Sequence, residues 1–86
     1  MKFHGAVVKE QGLTFAVIVV KRQVLTSTDE CHAVAERLTP VFPKMPIVLM
    51  AQSETKIPTY FGRRDIVKFL AHIRVSQIPW KEYVVA

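Results

Sequence analysis

Two apolar, β-rich segments open the chain, residues 2–9 and 13–21, and three residues, Glu10 to Gly12, separate them. A three-residue loop ending in glycine is typical of a β-hairpin, because the last loop residue takes a left-handed conformation. This loop pairs Lys9 with Leu13 and predicts one large apolar face, made by the pairs Val7–Phe15, Gly5–Val17 and Phe3–Val19. Residues 15–20 show no polar alternation, which predicts a central strand covered on both sides.

A first helix is predicted to follow Ser27 and to run to about Leu38. Ser27 and Glu30 have the spacing of a capping box, in which the serine hydroxyl accepts a hydrogen bond at the helix start. Pro40 prevents the helix from continuing. One buried stripe is indicated by apolar residues at the i, i+3, i+4, i+7 spacing, namely Cys31, Val34, Ala35 and Leu38.

The second half of the chain predicts two more strands and a second helix. Residues 47–51 are continuously apolar and predict a short buried strand. Residues 57–61 predict a strand at the sheet edge, because Pro58 has no amide hydrogen to donate. A helix is predicted over about 63–73, and Pro79 is expected to start a single turn in an apolar tail. The buried stripe of this helix is predicted to consist of Ile66, Phe69, Leu70 and Ile73. In the tail, Trp80 and Tyr83 are expected to pack back onto the domain.

The element order β-β-α-β-β-α predicts a single α+β domain over residues 1–86, with a mixed four-stranded sheet and two helices packed on it. The strand–helix–strand unit over residues 13–51 predicts a right-handed parallel crossover between two antiparallel hairpins. We expect part of one sheet face to stay uncovered and therefore expect a homodimer. The residues of that face are His4, Ala6, Ala16 and Ile18.

Composition narrows the class of protein. Half of the 86 residues are apolar, and 12 Lys and Arg against 7 Asp and Glu give a net charge of +5. This apolar content is too high for a disordered chain. The longest apolar stretch, residues 15–20, is far shorter than the ~20 residues that span a bilayer. We expect no secretory signal, and the single cysteine excludes an internal disulfide, so the predicted location is the cytoplasm.

Basic residues concentrate at the predicted second helix. Arg63 and Arg64 fall in its first turn, where backbone N–H groups are free and the helix dipole is already positive. Arg64, Lys68 and His72 then follow at i, i+4, i+8. The sequence predicts an anion-binding surface whose residues are Arg63, Arg64 and Lys68, joined by Lys21 and Arg22 if the strand order allows. The alternative is a solvated helix face whose arginines reach water or a nearby carboxylate.

The expected partner of this surface is nucleic acid or an acidic protein. Tyr60 and Phe61 precede Arg63, and aromatic residues beside arginines often hold single-stranded nucleic acid. Packing within an edge strand explains the same two residues. The net charge favours non-specific attraction only. The predicted function is therefore a small binding or interaction module that is not an enzyme.

Two other functions stay open. Residues 45–73, with Pro46 before an apolar strand, resemble the closing β-β-α unit of thioredoxin-like proteins, where a cis-proline holds that place. The resemblance implies a thiol-redox protein that uses Cys31, although the C-x-x-C pair of that family is absent. The place of Cys31 on the apolar stripe favours a buried, inert thiol. A structural subunit of a larger assembly is the third function. The three histidines, His4, His32 and His72, have no ligand spacing, and no metal or cofactor is expected.

Overall fold

A computed structural model describes residues 2–10, 12–52, 54–55 and 57–85. The described residues form one α+β domain, as predicted. Its elements are β1 (Lys2–Glu10), β2 (Leu13–Val19), α1 (Thr28–Leu38), β3 (Ile47–Gln52), β4 (Pro58–Phe61), α2 (Arg64–Leu70) and β5 (Lys81–Val84). Short 3-10 turns lie at Arg22–Thr26 and Val75–Gln77.

The strands form one mixed sheet in the order β4-β3-β2-β1-β5. β2 and β3 are parallel and joined through α1, while the other neighbouring strands are antiparallel. The predicted parallel pair and the edge position of Pro58 are thus confirmed. β2 lies at the centre of the sheet, and its residues 15–18 are buried. This position explains the apolar run without polar alternation.

The prediction of four strands is wrong, because the apolar tail adds a fifth. Residues 81–84 pair antiparallel with β1 and place Tyr83 opposite Phe3. The two rings stack with their centroids 5.2 Å apart. Tyr83 therefore packs back as part of a strand, and the indole N–H of Trp80 donates to the carbonyl of Val75 at 2.9 Å.

The hairpin register differs from the prediction by one residue. Glu10, not Lys9, pairs with Leu13, so the loop holds two residues rather than three. Gly12 has a φ of 78° and takes the left-handed conformation that the sequence predicts. Gln11, the other loop residue, lies outside the described residues. The shorter loop changes the pairing, because loop length fixes hairpin register.

This slip turns the side chains of β1 to the opposite faces. Val8 rather than Val7 lies opposite Phe15, and Ala6 joins the same buried cluster. Ile18 lies in the cluster on the other face. The predicted uncovered face does not form, since Ala6, Ala16 and Ile18 are at most 1% exposed. The uncovered face therefore no longer supports a homodimer, and the homodimer stays an untested prediction.

The two helices pack on opposite faces of the sheet. α1 contributes Cys31 and Leu38 to a cluster with Ala16, Ile18, Phe42 and Leu49. α2 contributes Ile66 and Leu70 to a cluster with Ala6, Val8, Phe15, Val17, Val48, Met50 and Ile78. No helix in these described residues has the length and apolar character to cross a bilayer.

The two helix starts differ in capping. The Oγ of Ser27 accepts a hydrogen bond from the Glu30 N–H at 3.3 Å, which confirms the predicted cap of α1. Arg63, at the same position before α2, makes no side-chain cap. Gly62 precedes it, where a Cβ would lie 2.8 Å from a methyl of Val48. The chain therefore enters α2 through a close contact with the sheet.

α2 is shorter than predicted. It ends at Leu70 instead of residue 73. The N–H groups of His72 and Ile73 bond the carbonyls of Phe69 and Leu70, three residues back, so the chain turns out of the α-helix. α2 thus has seven residues, against the eleven of α1.

Candidate functional site

The structure places the predicted basic residues at two ends of the sheet. Arg63 lines a cavity with Gly12 and Leu13, at the start of β2. Lys21 and Arg22 follow the end of that strand. A strand of seven residues spans about 23 Å. The structure therefore does not bring Lys21 and Arg22 to the basic residues of α2.

Arg63 is engaged by a carboxylate of its own chain. Its Nε donates to Oδ1 of Asp65 at 3.1 Å, and its Nη2 donates to Oδ2 at 2.6 Å. These hydrogen bonds raise the pKa of Arg63 and lower the pKa of Asp65, and the attraction between the opposite charges acts in the same direction. The positive charge of Arg63 is thus largely offset. This contact is the nearby carboxylate that the sequence left as the alternative to an anion site.

The cavity beside Arg63 has mixed charge. It measures about 300 Å³, and Glu10 and Asp65 line it together with Arg63. Phe15 and Phe69 contribute apolar wall. A bound phosphate would meet two carboxylates and a guanidinium that already has a partner, and repulsion from the carboxylates would oppose binding. This cavity does not favour an anion.

Arg64 and Lys68 remain as free cations. Both are exposed and lie one turn apart on α2, on the side away from the buried Ile66 and Leu70. Neither side chain has an ion-pair partner in the part of the chain that the structure describes. His72 lies beyond the end of the helix, where its Nδ1 is 2.7 Å from the carbonyl of Lys68. The helical part of the predicted cationic stripe thus consists of two residues.

The aromatic residues before Arg63 do not form a stacking surface. Tyr60 packs with the cluster under α2, whereas Phe61 packs with the cluster under α1. The Phe61 and His32 rings meet edge to face, with their centroids 5.7 Å apart. Consecutive residues of a strand point to opposite faces. Tyr60 and Phe61 are therefore separated by the sheet.

Cys31 is fully buried, and its thiol donates to the carbonyl of Val24 at 3.3 Å. Burial raises the pKa of the thiol, and the nearby Glu30 raises it further. Both effects disfavour the reactive thiolate. No peptide bond among the described residues is cis, so Pro46 does not reproduce the bond expected from the thioredoxin-like resemblance.

Comparisons of the chain with protein-family models, curated proteins and solved structures find no match. Within the described residues, no three His, Cys, Asp or Glu side chains are grouped so that they could hold a metal ion. The candidate site is therefore the outer surface of α2 at Arg64 and Lys68, which we call the α2 basic surface. The helical spacing of Arg64 and Lys68 is visible in the sequence. The pairing of Arg63 with Asp65, which excludes Arg63 from the site, is visible only in the structure.

Proposed function

We propose that the protein is a binding module that recognises an acidic protein through the α2 basic surface, and that it has no catalytic role. The supporting observation is that Arg64 and Lys68 are adjacent, exposed and without a carboxylate partner among the described residues, while Arg63 is paired with Asp65. The net charge of +5 adds long-range attraction to an acidic partner.

An acidic protein suits this surface better than nucleic acid does. Two cations one turn apart match two carboxylates of a partner, and such pairs guide association and orientation. Nucleic acid is usually held by many phosphate contacts or by exposed aromatic platforms. Tyr60 and Phe61, the aromatic residues that precede Arg63, are packed against opposite faces of the sheet. Nucleic acid is therefore the competing outcome of the test.

The test compares two double substitutions with the same change in charge. R64Q/K68Q removes the α2 basic surface, and K21Q/R22Q removes two exposed cations at the far end of β2. Each lowers the net charge from +5 to +3, because two positive charges are lost. Binding to a fluorescent oligoglutamate peptide is followed by anisotropy at low salt. We expect R64Q/K68Q to lose about fivefold in affinity and K21Q/R22Q to lose much less, since exposed ion pairs are individually weak.

Equal losses in the two variants would show that only net charge matters, which contradicts the proposal. No loss in either variant also contradicts it. A duplex oligonucleotide is tested beside the peptide over a salt series. If it binds more tightly, with log affinity falling by about 0.9 per contacted phosphate against log salt, the partner is nucleic acid.

The other two functions stay predictions from the sequence. A redox protein needs a thiol that reacts in the folded state, whereas the buried Cys31 is expected to react with a thiol reagent only on unfolding. Fast labelling of the native protein would favour redox chemistry. A structural subunit is expected to co-purify with its partners at salt high enough to screen charge.

A further inference from the structure

A second cavity lies beyond the end of α2, on the same face of the sheet. Its volume is about 510 Å³, and its walls include Tyr60 of β4, Leu70 at the end of α2, and Ile73 and Val75 of the turn that follows. This size falls in the range of small-molecule sites. The cavity exists because α2 ends after seven residues, which leaves the sheet beside β4 covered by a turn rather than by helix.

The hydroxyl of Tyr60 is buried in this region without a hydrogen-bond partner among the described residues. A buried hydroxyl normally finds a partner, because an unsatisfied one loses its hydration without compensation. Burial raises the pKa of Tyr60, so at neutral pH the hydroxyl keeps its proton and can donate a hydrogen bond. Tyr60 is therefore a neutral donor for which the described residues supply no acceptor.

Arg74 is exposed and lines the same cavity. Its backbone N–H donates to Oε1 of Gln77 at 2.9 Å, which fixes the start of the turn. Its guanidinium has no carboxylate partner in the residues that the structure describes. A guanidinium binds carboxylates through paired hydrogen bonds. The cavity thus has apolar walls and one exposed cation, and the buried Tyr60 hydroxyl is a neutral donor next to it.

We propose that this cavity binds a small apolar carboxylate, with the carboxylate at Arg74, the Tyr60 hydroxyl as a further donor, and the apolar part against Leu70, Ile73 and Val75. Access to the hydroxyl needs one wall side chain to move. Ile57 lines the cavity and is 64% exposed, so little packing holds its side chain in place. The proposal is independent of the α2 basic surface, because neither Arg64 nor Lys68 lines this cavity.

The probes are cyclohexanecarboxylate and its neutral amide, cyclohexanecarboxamide. Trp80, the only tryptophan, reports binding because it lines an adjoining cavity that shares Gln52 and Val75 with this one. We expect a saturable change in Trp80 fluorescence with the carboxylate. The amide is expected to bind about tenfold more weakly, since charge-assisted hydrogen bonds are roughly twice as strong as neutral ones.

Two variants with matched controls locate the site. Arg74→Gln is expected to remove the preference for the carboxylate over the amide, and Tyr60→Phe to weaken carboxylate binding severalfold. Arg37→Gln, on α1, and Tyr83→Phe, on the other face of the sheet, make the same chemical changes outside the cavity and are expected to leave binding unchanged.

Three outcomes overturn the proposal. These are no saturable change up to the solubility limit, equal affinity for carboxylate and amide, and equal losses in the cavity variants and their controls. Oligoglutamate binding by the Arg74→Gln protein is measured as well and is expected to be unchanged. This measurement separates failure of the cavity proposal from failure of the proposed function.

Discussion

The helices on the two faces of the sheet differ in length and in capping. On one face, α1 has eleven residues, a serine cap and a cluster that includes the fully buried Cys31 and Leu38. On the other face, α2 has seven residues, no side-chain cap and a 3-10 turn after it. The cavity beside Arg63 and the cavity beside Tyr60 both lie on the α2 face.

These two cavities of the small domain thus lie on the face that carries the shorter helix. α1 contributes Cys31 and Leu38 to the cluster on its face. α2 buries Ile66 and Leu70, and the residues before and after it line the two cavities. The α2 face is therefore where we expect binding sites.

The largest effect is expected from truncating one buried leucine on each face. Leu38→Ala and Leu70→Ala should each lower the free energy of unfolding by about 2–5 kcal/mol. Leu38→Ala is expected at the upper end, because Leu38 lines none of the cavities described above, whereas Leu70 lines the cavity beside Tyr60 and its void would merge with that space. Urea unfolding measures both values. An equal or larger loss for Leu70→Ala would contradict the contrast in packing.

The helix starts should respond in opposite directions. Ser27→Ala removes the hydroxyl that accepts from the Glu30 N–H and should cost about 1 kcal/mol. Arg63→Ser supplies a cap where α2 has none and should stabilise the protein, since the exposed pair with Asp65 contributes little. Thermal unfolding at neutral pH compares the two variants. A stabilising Ser27→Ala or a destabilising Arg63→Ser would show that capping does not distinguish the helices.

A smaller effect is expected at the tyrosines. Tyr60→Phe removes a buried hydroxyl that lacks a partner, and the free energy of unfolding should rise by up to about 1 kcal/mol. Tyr83→Phe, on the other face, is the control and should change stability less. Urea unfolding without added carboxylate gives both values. A loss of stability in Tyr60→Phe would mean that the hydroxyl already has a partner in the free protein.

The smallest effect concerns acid. The folded state lowers the pKa of Asp65 below its unfolded value, so the carboxylate stabilises the protein above about pH 4 and this contribution disappears as the pH falls through the folded pKa. Asp65→Asn should therefore be slightly less stable at neutral pH and equal to the parent in acid. The Ser27→Ala difference should persist across this range, because a serine hydroxyl does not titrate. A pH series of thermal unfolding curves shows which difference depends on acid.

The accuracy of the sequence prediction follows the same contrast. The predicted helix, from after Ser27 to about Leu38, agrees with α1, because Ser27, the apolar stripe and Pro40 all act within one or two helical turns. The end of α2 was not, since Leu70 is followed by apolar Ile73 at helical spacing. Only contacts with the sheet and the following turn decide where that helix stops.

The hairpin and the fifth strand show a second limit. The same apolar sequence is compatible with a hairpin loop of two or of three residues. A change of one residue in loop length moves every side chain of β1 to the opposite face of the sheet. β5 is four residues long and pairs with the other end of the chain, so no local pattern identifies it. The cavity of Tyr60 and Arg74 was missed for a related reason, because β4 and the turn after α2 meet only in the folded protein.

The pairing of β1 with β5 also determines how the protein resists force. Lys2 and Val84 are opposite each other at one end of this antiparallel pair. Pulling these two residues apart loads the Lys2–Val84 pair first and then the next pair inward, so the hydrogen bonds between the strands break one after another. The β2–β3 pair is parallel, so the same pull does not load its bonds in sequence. Stretched from its two ends, the domain is therefore expected to lose β5 at low force, while the centre of the sheet stays folded.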